Sequence, residues 1–107
     1  MASAYKNAKV DLTSTDVTAL YTCPSVTISI VTSILVSEDS GNADTITVTL
    51  TNAAAAVFSL FKVKAVSANT TVELLTRPLV VGEAEILKVK AATADRLHVV
   101  ASMLELS

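Results

Sequence analysis

The chain has 107 residues, enough for one domain with one core and no disulfide or metal staples. It is 51% hydrophobic and 17% charged, which excludes a disordered polyelectrolyte; aromatics are only 4% and Trp is missing, so the core falls to Val, Ile, Leu and Ala. A net charge of −2 without a basic cluster excludes a phosphate-neutralising face, and nucleic acid is not an expected partner.

Residues 1–15 read as an N-terminal arm. They are polar, carry Lys6 and Lys9, and show no strand alternation before Val10. They also lack the apolar stretch of a secretory signal, so synthesis in a reducing cytoplasm is expected. The expected division is an arm over 1–15 and a single β-sandwich domain over 16–107.

From Val17 to Ser37 there is no charged residue, a length that could cross a bilayer. Hydroxyl side chains are scattered through it and Pro24 interrupts it. Val26, Ile28, Ile30, Ile34 and Val36 share one parity, and Thr27, Ser29, Ser33 and Ser37 the other. A two-residue period is that of a strand with one buried face, so no membrane association is expected.

Asp39-Ser40-Gly41-Asn42 is a turn sequence. Beyond it Ile46, Val48 and Leu50 alternate with Thr45, Thr47, Thr49 and Thr51, so the two runs are expected to pair as a hairpin across that turn. Asn52–Ala56 is too short for a stable helix and is read as a turn or a loop crossing. Further strands are expected over Phe58–Val66 and Thr70–Leu75, around Leu87–Ala91, and from Leu97 to about Leu106, with Arg77-Pro78 at an edge or bend. Seven or eight short antiparallel strands in an all-β chain describe a β-sandwich, and the mixed connections favour a jelly roll.

Residues for chemistry are few. His98, the single histidine, lies within the last strand between Leu97 and Val99 and reads as a partly buried strand histidine. Cys23, the single cysteine, reads as a small buried hydrophobe. Glu38-Asp39 and Glu83-Ala84-Glu85 are too sparse for a calcium site, and two glycines cannot build a phosphate loop. No catalytic, cofactor-binding or metal-ligating residue is therefore expected, and no enzyme.

The informative feature is surplus apolar surface. Val31, Leu35, Leu60, Val100 and Leu104 stand on the parity opposite the expected core, where a solitary sandwich would be polar. With Tyr5, Lys6, Lys9 and Val10 of the arm they form the candidate interface, against sister subunits and a further partner.

Leu20-Tyr21-Thr22-Cys23-Pro24-Ser25 followed by Ile30-Val31-Thr32-Ser33-Ile34-Leu35-Val36-Ser37 resembles the opening of small virion structural proteins of tailed bacteriophages, cyanophages included. Glu73-Leu74-Leu75, Pro78-Leu79-Val80 and the run from Gly82-Glu83 to Leu87-Lys88-Val89 resemble their central segment, and Val99–Glu105 their last strand. The likeness runs from about residue 12 onward, and it departs where Ser25-Val26 replaces a glycine that often follows the proline. The resemblance implies a jelly-roll particle component made in the host cytoplasm and carried on the virion. The role it implies is a capsid decoration (cement) protein, typically a homotrimer, clamping the major capsid protein with the arm as its capsid-binding segment. The alternatives are a neck, tail or baseplate accessory and, lower, a carbohydrate- or receptor-binding module, for which the four aromatics are few.

Overall fold

In the computed structural model, which describes residues 3–107, the chain forms an antiparallel β-sandwich of nine strands, with no helix among the described residues. The strands are β1 (Ser3–Asp11), β2 (Thr18–Thr22), β3 (Ile28–Glu38), β4 (Asp44–Thr51), β5 (Val57–Val66), β6 (Thr71–Glu73), β7 (Leu79–Val81), β8 (Ile86–Ala91) and β9 (Leu97–Leu106). One sheet runs β1-β9-β3, with β6 and β7 both on the far side of β3; the other runs β2-β8-β4-β5.

The count exceeds the expected seven or eight because one edge strand is broken. β6 pairs with Leu35–Ser37 and β7 with Ser29–Val31, so the two lie end to end along β3. Between them the pairing lapses after Leu74, whose N–H still donates to the Ile34 carbonyl at 2.9 Å, and Pro78 has no N–H to give the ladder. Glu73 fixes the break: its carboxylate accepts the Ser33 hydroxyl and the N–H groups of Ile34 and Leu75.

The core lies between the sheets. Val31, Ile34 and Val36 from β3 and Val99, Ala101 and Met103 from β9 face Ile46, Val48, Leu87 and Val89 of the second sheet, all buried. Each of the larger side chains contributes roughly 1.5–3 kcal/mol by leaving water.

Three expectations are corrected. From Ser3 to Asp11 the arm is strand β1, paired with β9 along its whole length; residues 1–2 lie outside the described residues. Its alternation is concealed because its inward positions are Ala4, Lys6, Ala8 and Val10, small or charged except the last. The turn over residues 39–43 does not close a hairpin: β3 and β4 belong to different sheets, and the chain crosses the sandwich there. The hairpin is β4–β5, closed by Asn52, whose side-chain oxygen accepts the N–H groups of Ala54 and Ala56 at 3.0 and 2.9 Å.

The third correction concerns Val31, expected on the outer face and found fully buried. The β3–β9 register shifts between Val31 and Ser33, so Thr32 is an extra residue opposite β9. Such a bulge reverses which parity faces inward. Before it Ser29 and Val31 are inside; after it Ile34, Val36 and Glu38 are. Ile28 and Ile30, expected in the core, are thereby turned to the outer face.

Candidate functional site

The outer face of the β1-β9-β3-β6/β7 sheet carries an apolar band. Tyr5 pairs with Leu104, Leu104 with Ile30 and Ile30 with Val80, so these four side chains form one row across four strands. Ile28 and Leu106 form the next row toward the end of the sheet. Tyr5 is 88% exposed, Val80 58% and Ile28 52%. Val26 extends the band into the adjoining loop; it is 80% exposed, and a shallow hollow of about 380 Å³ lies between it, Ile28, Glu83 and Leu106.

Moving away from the band, the same face changes character. Asn7, Ser102 and Thr32 make a polar strip, then Lys9, Val100 and Leu35 share a row. The far end is charged. His98 Nε2 lies 3.1 Å from an Asp11 carboxylate oxygen, and its Nδ1 lies 3.7 Å from one of Asp39. The outer face of the other sheet is different again. Thr45, Thr47 and Thr49 of β4 alternate with the buried core positions, and Lys88 and Lys90 occupy the facing positions on β8. The β4 and β8 part of that face is polar, whereas β5 at its edge exposes Val57, Phe58 and Val63.

The nine expected interface residues separate accordingly. Tyr5 and Leu104 lie in the apolar band, and Lys9, Val100 and Leu35 share a row two steps away. Val31 is in the core. Val10 packs inward against the core, and Leu60 does so from β5 on the other sheet. Lys6 also turns inward, its ammonium 2.9 Å from Glu105.

Sequence reasoning missed Val26, Ile28, Ile30 and Val80. The available signal was the hydroxyl pair Thr32-Ser33, which breaks the apolar alternation where the bulge falls. It also missed the buried carboxylates that hold the face in place. Glu105 on β9 accepts the hydroxyl of Tyr21 on β2 and the ammonium of Lys6, tying the two sheets and β1 together. These two hydrogen bonds hold its carboxyl below the ordinary range against the effect of burial, while burial and the bond to Glu105 push the Tyr21 phenol up.

Glu38, 1% exposed, closes the crossing from β3 to β4. Its carboxylate accepts the N–H groups of Ser40, Gly41, Asn42 and Asn69 at 2.9, 3.0, 3.2 and 3.2 Å, and the Ser40 hydroxyl. Burial raises its pKa, but the donors from Ser40, Asn69 and Gly41 prevail and bring it to about 2.

Among the described residues no three His, Cys, Asp or Glu side chains are grouped to hold a metal ion, and no helix is long and apolar enough to cross a membrane. The face presents a band of apolar side chains on a sheet braced by the buried Glu38 and Glu105 carboxylates. No protein-family model matches the chain, and no curated protein is significantly similar to it.

Proposed function

We propose that the chain is a virion structural protein of a tailed bacteriophage, serving as a capsid decoration protein that binds the major capsid protein and reinforces the head. The observation that carries the reading is the strand order. The first strand pairs with the last, β2 with β8, β3 with β6 and β7, and β4 with β5. With β6 and β7 counted as one interrupted strand, this is a long hairpin rolled into two facing four-stranded sheets. We take it as a jelly roll, an architecture common among viral capsid domains.

The apolar band supports the same reading. A slab that bears an apolar band across one face suits a protein that lies against a particle. Self-association would multiply weak contacts into avidity. The capsid-binding role assigned to an arm passes here to the outer face, because residues 3–11 are engaged as a strand.

Quantifying the chain against the major capsid protein in purified particles tests the proposal. A copy number comparable with that of the capsid protein is the expected result. A few to a few dozen copies per particle would move the reading to a neck, tail or baseplate accessory, and absence from the particle would end it.

A further inference from the structure

A sandwich of two open sheets has four edges, each a row of unpaired N–H and C=O groups on which another chain could pair. Three of them are blunted here. β2 has only five residues and its register breaks between Ala19 and Tyr21. β5 is bulged twice against β4, its Val63 is in the left-handed region (φ 54°), and Lys62 and Lys64 flank that residue. The edge made by β6 and β7 is interrupted between Glu73 and Leu79. β1 differs from all three. Its nine residues pair with β9 without a register shift, it contains no proline, and its outer side has no neighbouring strand. An inward-pointing lysine ordinarily protects an edge, but Lys6 is spent on Glu105 at 2.9 Å.

We propose that two copies of this chain associate through their β1 edges, antiparallel, with Asn7 on the two-fold axis. The charges select the register. Continuing the sheet with both outer faces on one side requires residues of like parity to oppose each other. Centring the pair on Lys6 or on Lys9 sets a lysine against itself, which is destabilising. Centring it on Asn7 keeps all nine residues paired and opposes no like charges. Lys9 then stands opposite Tyr5 of the second copy, where an ammonium can lie over the ring, and Asp11 stands opposite Ser3.

The same register joins the apolar rows. Val80–Ile30–Leu104–Tyr5 of one copy runs on through Lys9 to Val100 and Leu35 of the other, so surplus apolar residues on separate rows become one ribbon across the dimer. The contact uses the sheet edge, leaves the outer face free, and does not depend on the particle reading.

Cysteine cross-linking of the full chain tests it. Opposed residues of antiparallel strands have Cα atoms about 4.5–5.5 Å apart, within the range a disulfide spans. The native Cys23 is buried and does not compete. Asn7→Cys is expected to form a covalent dimer as the main product of mild oxidation. A mixture of Tyr5→Cys and Lys9→Cys chains is expected to cross-link several-fold more than either alone. These positions are exposed, and an unchanged far-UV circular dichroism spectrum verifies the fold. Stronger cross-linking of Lys6→Cys or Ala8→Cys than of Asn7→Cys would overturn the proposal. So would light scattering that shows the unmodified chain as a monomer throughout the micromolar range.

Discussion

Glu38 shows how one buried side chain shapes a connection. A carboxylate out of water is costly unless its oxygens are engaged, and four backbone N–H groups and a hydroxyl engage this one. Because the folded pKa, about 2, lies below the ordinary 4.5, the charge contributes stability that is complete above pH 4.5 and is lost as pH falls toward 2. Thermal melts across that interval should show a steep loss of Tm in the native chain. Glu38→Gln should melt lower at pH 7 and lose less between pH 4.5 and 2, the remaining loss coming from Glu105 and Glu73, whose carboxyls are also held low. Parallel curves for the two would remove Glu38 as the cause.

Val26 is the opposite case, a residue its backbone does not favour. It sits at φ 54°, a conformation costing an L-residue roughly 1–2 kcal/mol, and its side chain is 80% exposed, so burial returns little. Glycine adopts that backbone freely at some entropic cost in the unfolded chain. Val26→Gly should therefore stabilise the fold by about 0.5–1 kcal/mol in urea denaturation. A loss of stability would mean that the side chain contributes within the monomer rather than at a docking surface.

At the scale of elements, the bulge at Thr32 governs what β3 presents. Ile28 and Ile34 are the same residue type, on the same strand and of the same sequence parity, yet Ile34 is fully buried and Ile28 is half exposed. Ile34→Ala should cost about 2–5 kcal/mol, whereas Ile28→Ala should stay within about 0.5 kcal/mol. Equal costs would mean that β3 has no parity switch.

This pair also shows how much of the fold was legible. Strand positions followed from the two-residue period, because β-branched residues on a half-buried surface announce themselves. Two features did not. A bulge adds one residue without a mandatory sequence mark, so Val31 and Ile30 exchanged places. The partner across a turn depends on sheet-level packing. The turns over residues 39–43 and 52–56 are both five residues long, yet Glu38 folds the first across the sandwich while Asn52 closes the second into a hairpin. β1 shows no alternation in the sequence because its inward side chains are small or, at Lys6, charged.

At the scale of the whole molecule, the sandwich measures 44 × 26 × 22 Å, with the apolar band on the outer face of the β1-β9-β3 sheet and threonines and lysines on β4 and β8 of the other. Surplus apolar surface was visible in the sequence, but its location was only half visible. Tyr5 and Leu104 are legible as part of it, while Val26, Ile28, Ile30 and Val80 are not, since their neighbourhood exists only once four strands are side by side. The proposed function makes this face the working surface of the protein. Affinity for capsids of the phage which that proposal implies, measured for the native chain and for an Ile28→Ser/Val80→Ser double variant, tests the proposal most directly. Both side chains are more than half exposed, so the fold should be retained. Truncating an anchoring residue at the centre of an interface costs about 2 kcal/mol or more, so binding should weaken by about tenfold or more, while Lys88→Ala/Lys90→Ala on the opposite face should leave it unchanged. Undiminished binding by the serine variant, with loss in the lysine variant, would contradict the account.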